Sequence, residues 1–201
     1  MAIISRGFKG RRQQDSPQDR VPPGQYVTND FPVLSAGPTP LVSLDKWSLT
    51  LITETGQATA RTWDQFLELP IEPITVDIHC VTKWSKLDTK WEGVSIDALL
   101  EDVQTSAAFL LVECFDGYTT NLPLADVTNG KAWIAHIYDG EPLRPEHGGP
   151  ARLLVPHLYL WKSAKWVSAL KLSNEDRAGF WEGYGYHNYG DPWKEQRYAG
   201  D

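Results

Sequence analysis

From residue 47 to residue 172, short apolar runs alternate with turn residues, a pattern of many brief strands broken by occasional helical turns. Trp47-Ser48-Leu49-Thr50-Leu51 alternates with a period of two, as a half-buried strand does. Ile74-Thr75-Val76-Asp77-Ile78-His79-Cys80 is β-branched and alternating, and predicts a strand that ends on a cysteine. Residues 107–114 form a nearly continuous apolar strand closed by the turn Asp116-Gly117. Residues 119–122, 132–138, 151–155 and 165–172 are further strand candidates. Two short helices are predicted. Over 62–67, Thr62 caps, Gln65 stands three residues later and Pro70 stops the chain; the second helix covers 95–100. The tail after Ser173 carries aromatic and Gly residues with little periodicity. The class this predicts is α+β: a single mostly-β domain with mixed sheets and short helices.

The first 45 residues lack periodicity. Pro17, Pro22, Pro23, Pro32, Pro38 and Pro40 each bar a regular helix or a central strand. Residues 1–30 read as an extended N-terminal arm lying over the rest, residues 31–201 as the functional domain, and Asn29-Asp30-Phe31-Pro32 as a local turn.

Composition narrows the function classes. With 201 residues the chain holds one sizeable domain, and nine Trp and eight Tyr suit a large core or a deep cleft. A net charge of -7 argues against general nucleic-acid binding, which demands a basic footprint. No stretch approaches the ~20 apolar residues of a membrane span. The start, Met1-Ala2-Ile3-Ile4-Ser5-Arg6, turns polar too soon for a secretory signal, and Arg11-Arg12 leads into Gln13-Gln14-Asp15 instead of an apolar run. A cytoplasmic location is the expectation, with both cysteines as thiols.

Two constellations could carry chemistry. Cys80 closes a strand and opens into Val81-Thr82-Lys83-Trp84-Ser85, with Lys83 and Lys86 expected to favour its thiolate. Cys114, inside an apolar strand, reads as an inert core thiol. The second is His147-Gly148-Gly149-Pro150-Ala151-Arg152, followed by Trp161-Lys162-Ser163-Ala164-Lys165. Its glycines would let the backbone approach a ligand, and Arg152, Lys162, Ser163 and Lys165 offer donors to a buried anion. No G-x-G-x-x-G, phosphate-loop, G-x-S-x-G or C-x-x-C motif is present, and no His or Cys pair has zinc-ligand spacing.

Cys80-Val81-Thr82-Lys83-Trp84-Ser85 with Trp91-Glu92-Gly93-Val94 resembles the cysteine segment of bacterial catalytic subunits related to sulfite oxidase, among them the methionine sulfoxide reductases. His147 to Arg152 with the Lys162-Ser163-Ala164-Lys165-Trp166 segment resembles the pterin-binding stretch of the same family. The resemblance runs in order from about Thr28 to Tyr198. It implies a sulfite-oxidase-like molybdopterin-binding fold, with 31–201 as the molybdopterin-binding catalytic domain. It also implies molybdenum and molybdopterin as cofactors, Cys80 as catalytic residue and metal ligand, and a Mo(VI)/Mo(IV) cycle with oxygen-atom transfer. His147, Arg152, Ser163 and Lys165 match positions that hold the pterin and its phosphate. Asn29 matches another pterin contact, and Asp116, Tyr118 and Thr119 match a loop brought near the metal. Lys83, Trp84, Trp181, Tyr184 and Tyr186 are candidates for the substrate funnel.

There are departures. Thr82-Lys83-Trp84 replaces an arginine-containing segment in sulfite oxidase, which argues against sulfite, and the methionine sulfoxide reductases carry an acidic residue at the position of Thr82. The chain is read without a haem segment or an appended dimerisation domain. A small-molecule substrate and a separate redox partner protein or soluble electron carrier are therefore expected. The rival readings are a non-catalytic molybdopterin-binding module and a hydrolase or transferase using Cys80 as nucleophile.

Overall fold

The computed structural model describes residues 18–201. The first part of the arm, with Met1, the Arg11-Arg12 pair and Pro17, lies outside the described residues. Two sheets make the frame. The first contains β1 (Tyr26–Val27), β4 (Ile71–His79), β5 (Trp84–Ser95), β8 (Trp133–Tyr138), β9 (Glu141–Pro142) and β10 (Arg152–Leu154). Its main path runs β1-β5-β8-β10, with β4 beside β5 and β9 beside β8. The second contains β2 (Ser48–Ile52), β3 (Ala58–Thr62), β6 (Phe109–Cys114), β7 (Thr119–Pro123) and β11 (Val167–Ser173), ordered β3-β2-β11-β6-β7. Both sheets are mixed: β1 is parallel to β5, and β11 is parallel to β2, while the other pairs are antiparallel.

The predicted α+β, mostly-β architecture is what forms. Among the described residues three short α-helices join the strands: α1 (Trp63–Leu67), α2 (Ile96–Leu100) and α3 (Phe180–Gly183). At α1 the Thr62 hydroxyl accepts from the Gln65 N–H while the Gln65 side chain accepts from the Thr62 N–H, so two orphan donors are satisfied reciprocally. Ser95 caps α2 by accepting from the Ala98 N–H.

Strand β5 is the largest element that the hydrophobic pattern failed to announce. Along residues 88–92 Asp88, Lys90 and Glu92 point to solvent while Thr89 and Trp91 are buried. The alternation is there, but Thr89 and Gly93 occupy inward positions without reading as apolar. Gly93 is required by packing. A Cβ there would lie 2.5 Å from the Ile134 carbonyl oxygen of β8 and 2.8 Å from the Ala135 Cα.

Two apolar clusters fill the interior. The larger packs the second sheet against α1 and α2 through Trp47, Leu49, Phe66, Val112 and Leu170. The smaller gathers Ile74, Ile78, Cys80, Trp84, Trp91, Leu143 and Leu154 around the β4–β5 hairpin. Described arm residues are tied to this hairpin: the Nε and Nη2 of Arg20 donate to both oxygens of Asp77 at 2.8 and 2.6 Å. Tyr26 and Thr28 donate backbone N–H groups to Lys83 and Ser85. Among the described residues no helix is long and apolar enough to cross a membrane.

Candidate functional site

Cys80 is the first residue after β4 and starts the tight connection to β5. Its N–H donates to the Trp84 carbonyl at 2.8 Å, and its own carbonyl accepts from the Lys83 N–H at 3.0 Å. Closing this turn puts Lys83 at a positive φ of 75°. The thiol is buried, 3.1 Å from the Thr82 hydroxyl.

Burial pushes the Cys80 thiol up, and the Thr82 hydroxyl and the Thr82 and Val81 N–H groups only partly offset this. The lysines expected to favour the thiolate do not act on it. Lys86 donates to the Asn29 carbonyl at 2.5 Å, and Lys83 points to solvent. A thiol in this setting stays protonated until a cation takes its place as partner. Cys114 is buried in the larger cluster and is likewise pushed up, by burial and then by Asp116.

The second constellation lies where β10 and the segment after residue 160 meet. Arg152 is 4% exposed and donates to three carbonyls: His147 at 2.8 Å, Ser163 at 2.7 Å and Leu153 at 3.4 Å. Among the described residues no carboxylate pairs with it. Burial lowers it to about 10. Lys165 donates to the Leu34 carbonyl, the Ser35 hydroxyl and the Glu146 carbonyl at 2.8, 2.7 and 3.0 Å. Burial first and Arg152 second bring it down to about 8. His147 is lowered to about 4 by burial and then by Arg152. A cationic group with neutral partners, whose members raise the cost of one another's charge, fits a phosphate-bearing ligand.

Some expected donors have other employment. Lys162 is not free for an anion: it donates to both oxygens of Asn121 and forms a buried ion pair with Glu182 at 2.6 Å. Ser163 is buried, its hydroxyl accepting from the Val155 N–H at 2.9 Å. Gly148 and Gly149 serve packing of the protein on itself. A Cβ on Gly148 would crowd Arg152 and Lys165 at 3.0 Å, and one on Gly149 would lie 2.0 Å from the Leu143 oxygen.

The arm links the two constellations. Asn29 is exposed and its carbonyl holds Lys86, while Phe31 lies on the His147 ring with centroids 4.0 Å apart and touches Trp84 and Trp91 by its edge. Asp116 accepts from the Tyr118 N–H at 3.0 Å and raises Lys165 electrostatically. Tyr118 is partly buried, its hydroxyl donating to the Trp161 carbonyl at 2.6 Å. Thr119 stands elsewhere, opening β7 with its carbonyl against Gly179 of the tail. Of the funnel candidates, Trp84 is a core residue at 1% exposure and Tyr184 is well exposed. Tyr186 is raised by burial, by Tyr198 and by Cys80, which puts its phenol in the electrostatic reach of the thiol.

A family profile described as the oxidoreductase molybdopterin binding domain matches residues 36–181. The chain belongs to the molybdopterin-binding oxidoreductases. It is therefore a molybdopterin-dependent oxidoreductase, with molybdenum and molybdopterin as its cofactor. It is 40% identical to the uncharacterized oxidoreductase YuiH of Bacillus subtilis over 197 residues, 96% of this chain and all of that one. It is 31% identical to the putative protein-methionine-sulfoxide reductase subunit YedZ1 of Azospira oryzae over 65% of this chain and 50% of that protein. The sulfane dehydrogenase SoxCD of Paracoccus pantotrophus shares the fold, with a TM-score of 0.61 at 21% identity, over 69% of this chain and 41% of that one. Apart from YuiH, the chain thus spans half or less of these larger relatives.

Proposed function

We propose that Cys80 is the one protein ligand of the molybdenum, and that this molybdopterin-binding oxidoreductase transfers an oxygen atom to or from a small substrate. The observation that carries the assignment is the place of Cys80: a buried thiol on a hairpin turn, joined by the arm to a buried Arg152 with which, among the described residues, no carboxylate pairs. Soft thiolate suits such a metal. Among the described residues no cluster of three or more His, Cys, Asp or Glu is arranged to hold a metal ion, so a metal at Cys80 takes its other ligands from the cofactor.

When bound, the cofactor supplies two-electron redox chemistry coupled to oxygen-atom transfer. Arg152 and Lys165 hold the cofactor's phosphate, with His147 and Ser163 shaping the cradle and Asn29 and Asp116 at its margin. With Cys80 as a thiolate, the Thr82 hydroxyl 3.1 Å away would donate to its sulfur and temper its electron donation to a bound metal. Electrons pass to or from a separate redox partner protein or soluble carrier.

The cysteine-nucleophile alternative has little support. His79, the nearest imidazole in sequence, is engaged with the Ser85 hydroxyl at 2.8 Å and lowered to about 4 by burial, which makes it a poor base. The test is elemental analysis with pterin fluorescence on protein from a cofactor-competent host. Near-stoichiometric metal and pterin, lost in Cys80→Ser, is the expected result, while a Cys80→Ser protein with full molybdenum and full activity refutes the ligand assignment. A wild-type protein that holds cofactor but turns over with no acceptor would favour the non-catalytic binding module.

A further inference from the structure

The C-terminal tail wraps back onto the Cys80 turn and brings one arginine with it. Arg197 is 9% exposed. Its Nη1 donates to Glu195 at 2.8 Å, but its Nε and Nη2 have no hydrogen-bond partner among the described residues. The guanidinium lies over the Tyr159 ring, 5.4 Å from the centroid, which fixes its orientation. The backbone around it is pinned: the Arg197 and Tyr198 N–H groups donate to Asp201, and the Arg197 carbonyl accepts from the His187 N–H.

Its surroundings belong to the Cys80 turn. Gly24 sits so close that a Cβ there would be 3.6 Å from Arg197 Nη2. The next residue, Gln25, donates its amide N–H to the Cys80 carbonyl at 3.2 Å, while its Oε1 is buried and unpartnered. Tyr159 bridges His79, the residue before Cys80, and its buried hydroxyl lies against Gln25 without completing a hydrogen bond. Tyr198, next to Arg197, pairs with Tyr186.

The free edge is the one that matters. Nε–H and Nη2–H are parallel donors on one side of the guanidinium, spaced to match the two oxygens of a carboxylate or another oxyanion. Arg20 uses this edge in the same protein: its Nε and Nη2 take both oxygens of Asp77. Buried donors are rarely left unpaired, because unpaired they forfeit their hydration without return. Glu195 takes Nη1 and leaves this edge without a partner.

We propose that Arg197, seated on Tyr159 and beside Gln25, is a specificity-determining residue that anchors an oxyanion group of the substrate next to the Cys80 turn. This rests on the assignment of Cys80 to the reacting centre and adds the chemical class of the substrate. The oxyanion is either a carboxylate handle on an organic molecule or a small inorganic anion.

The experiment is calorimetric titration of the molybdenum-loaded protein with acetate and with sulfate. Saturable binding of one is expected, weakened roughly 10- to 100-fold in Arg197→Gln at unchanged molybdenum content and melting temperature. Arg197→Lys recovers little, because lysine has no fork. Preference for acetate identifies an organic acid, and preference for sulfate an inorganic oxyanion. If neither anion saturates, or if Arg197→Gln binds within twofold of wild type, the edge is filled by water and the proposal is overturned. Should Arg197→Gln not fold, Arg197→Lys keeps the positive charge and removes only the fork. Anion affinity must then fall several-fold, and unchanged affinity overturns the proposal equally. Loss of the metal assignment is seen separately: Cys80→Ser protein that retains molybdenum undoes that assignment, whatever the anion titration reads.

Discussion

Lys162 and Glu182 meet at 2.6 Å with only 1% and 2% of their side chains exposed. Lys162 lies on the short turn after β10, Glu182 in α3 of the tail, so the pair fastens the tail to the frame. The same carboxylate accepts from the Trp161 indole N–H at 2.9 Å. Removing one partner leaves a buried charge alone, and Glu182→Leu or Lys162→Met is expected to cost about 3–5 kcal/mol in chemical denaturation. The double change Lys162→Met with Glu182→Leu should recover most of that loss, because an apolar pair carries no desolvation penalty. If the double variant is as unstable as the sum of the singles, the pair is not coupled.

Phe31 should be what keeps the arm on the body. It contacts Trp84, Trp91 and Tyr138 and stacks on His147. Phe31→Ala is expected to lose about 2 kcal/mol, below the 3–5 of a wholly buried Phe because the residue is only partly buried. Limited proteolysis should then cut within residues 30–45 faster than in wild type, and cofactor retention should fall. Unchanged cleavage would mean the arm is held by the Arg20–Asp77 bonds and not by this ring.

Phosphate affinity should decline in alkali through Lys165. Its amine is lowered to about 8, mainly by burial and then by Arg152, so the free protein sheds this proton as pH rises through that value. A bound phosphate needs the proton in place. Cofactor affinity is therefore full below about pH 8 and falls by up to tenfold per pH unit above it. Lys165→Arg keeps its charge and should flatten the profile between pH 7 and 10. A sloping profile in that variant would assign the effect to another group.

Acid should weaken the fold before the carboxylates titrate. His79 and His147 are both lowered from 6.5 to about 4, each chiefly by burial. Between those values the unfolded chain binds protons that the folded one refuses, so stability is complete above about pH 6.5 and lost as pH falls toward 4. Glu54, held down to about 2 by the Thr105 hydroxyl and the Ser106 N–H, contributes only below this window. Melting temperatures from pH 7 to 4.5 should show the slope, and His147→Gln should reduce it. An identical slope in that variant places the acid sensitivity elsewhere.

How far the chain could be read depended on what kind of signal each part left. The cap at Thr62 and Gln65 and the strand of residues 109–114 are local, and a short window of sequence contains all their physics. Cys80 was legible because a strand ending in a turn presents its last residue, whatever packs around it. Strand β5 hid behind Thr89 and Gly93, whose inward placement depends on a neighbouring backbone. The fate of Lys162 was illegible for the same reason: its partner Glu182 stands in a tail without periodicity. Arg197 left no signal at all. Its meaning lies in two nitrogens without partners, and partners are a property of the folded chain.

Strand β11 sits in the middle of the second sheet, between β2 and β6. On a ribosome this strand emerges last of the five, after every neighbour it must join. Until then β2–β3 and β6–β7 are two separate hairpins, each exposing an edge. At roughly 5–20 residues per second, the stretch from β7 to β11 takes several seconds to appear. The Cys80 turn, closed by the adjacent β4 and β5, can be ready long before Arg152 and Lys165 exist. On the proposed assignment a nascent chain offers its thiol before its anion cradle, and cofactor insertion waits until Lys165 has emerged.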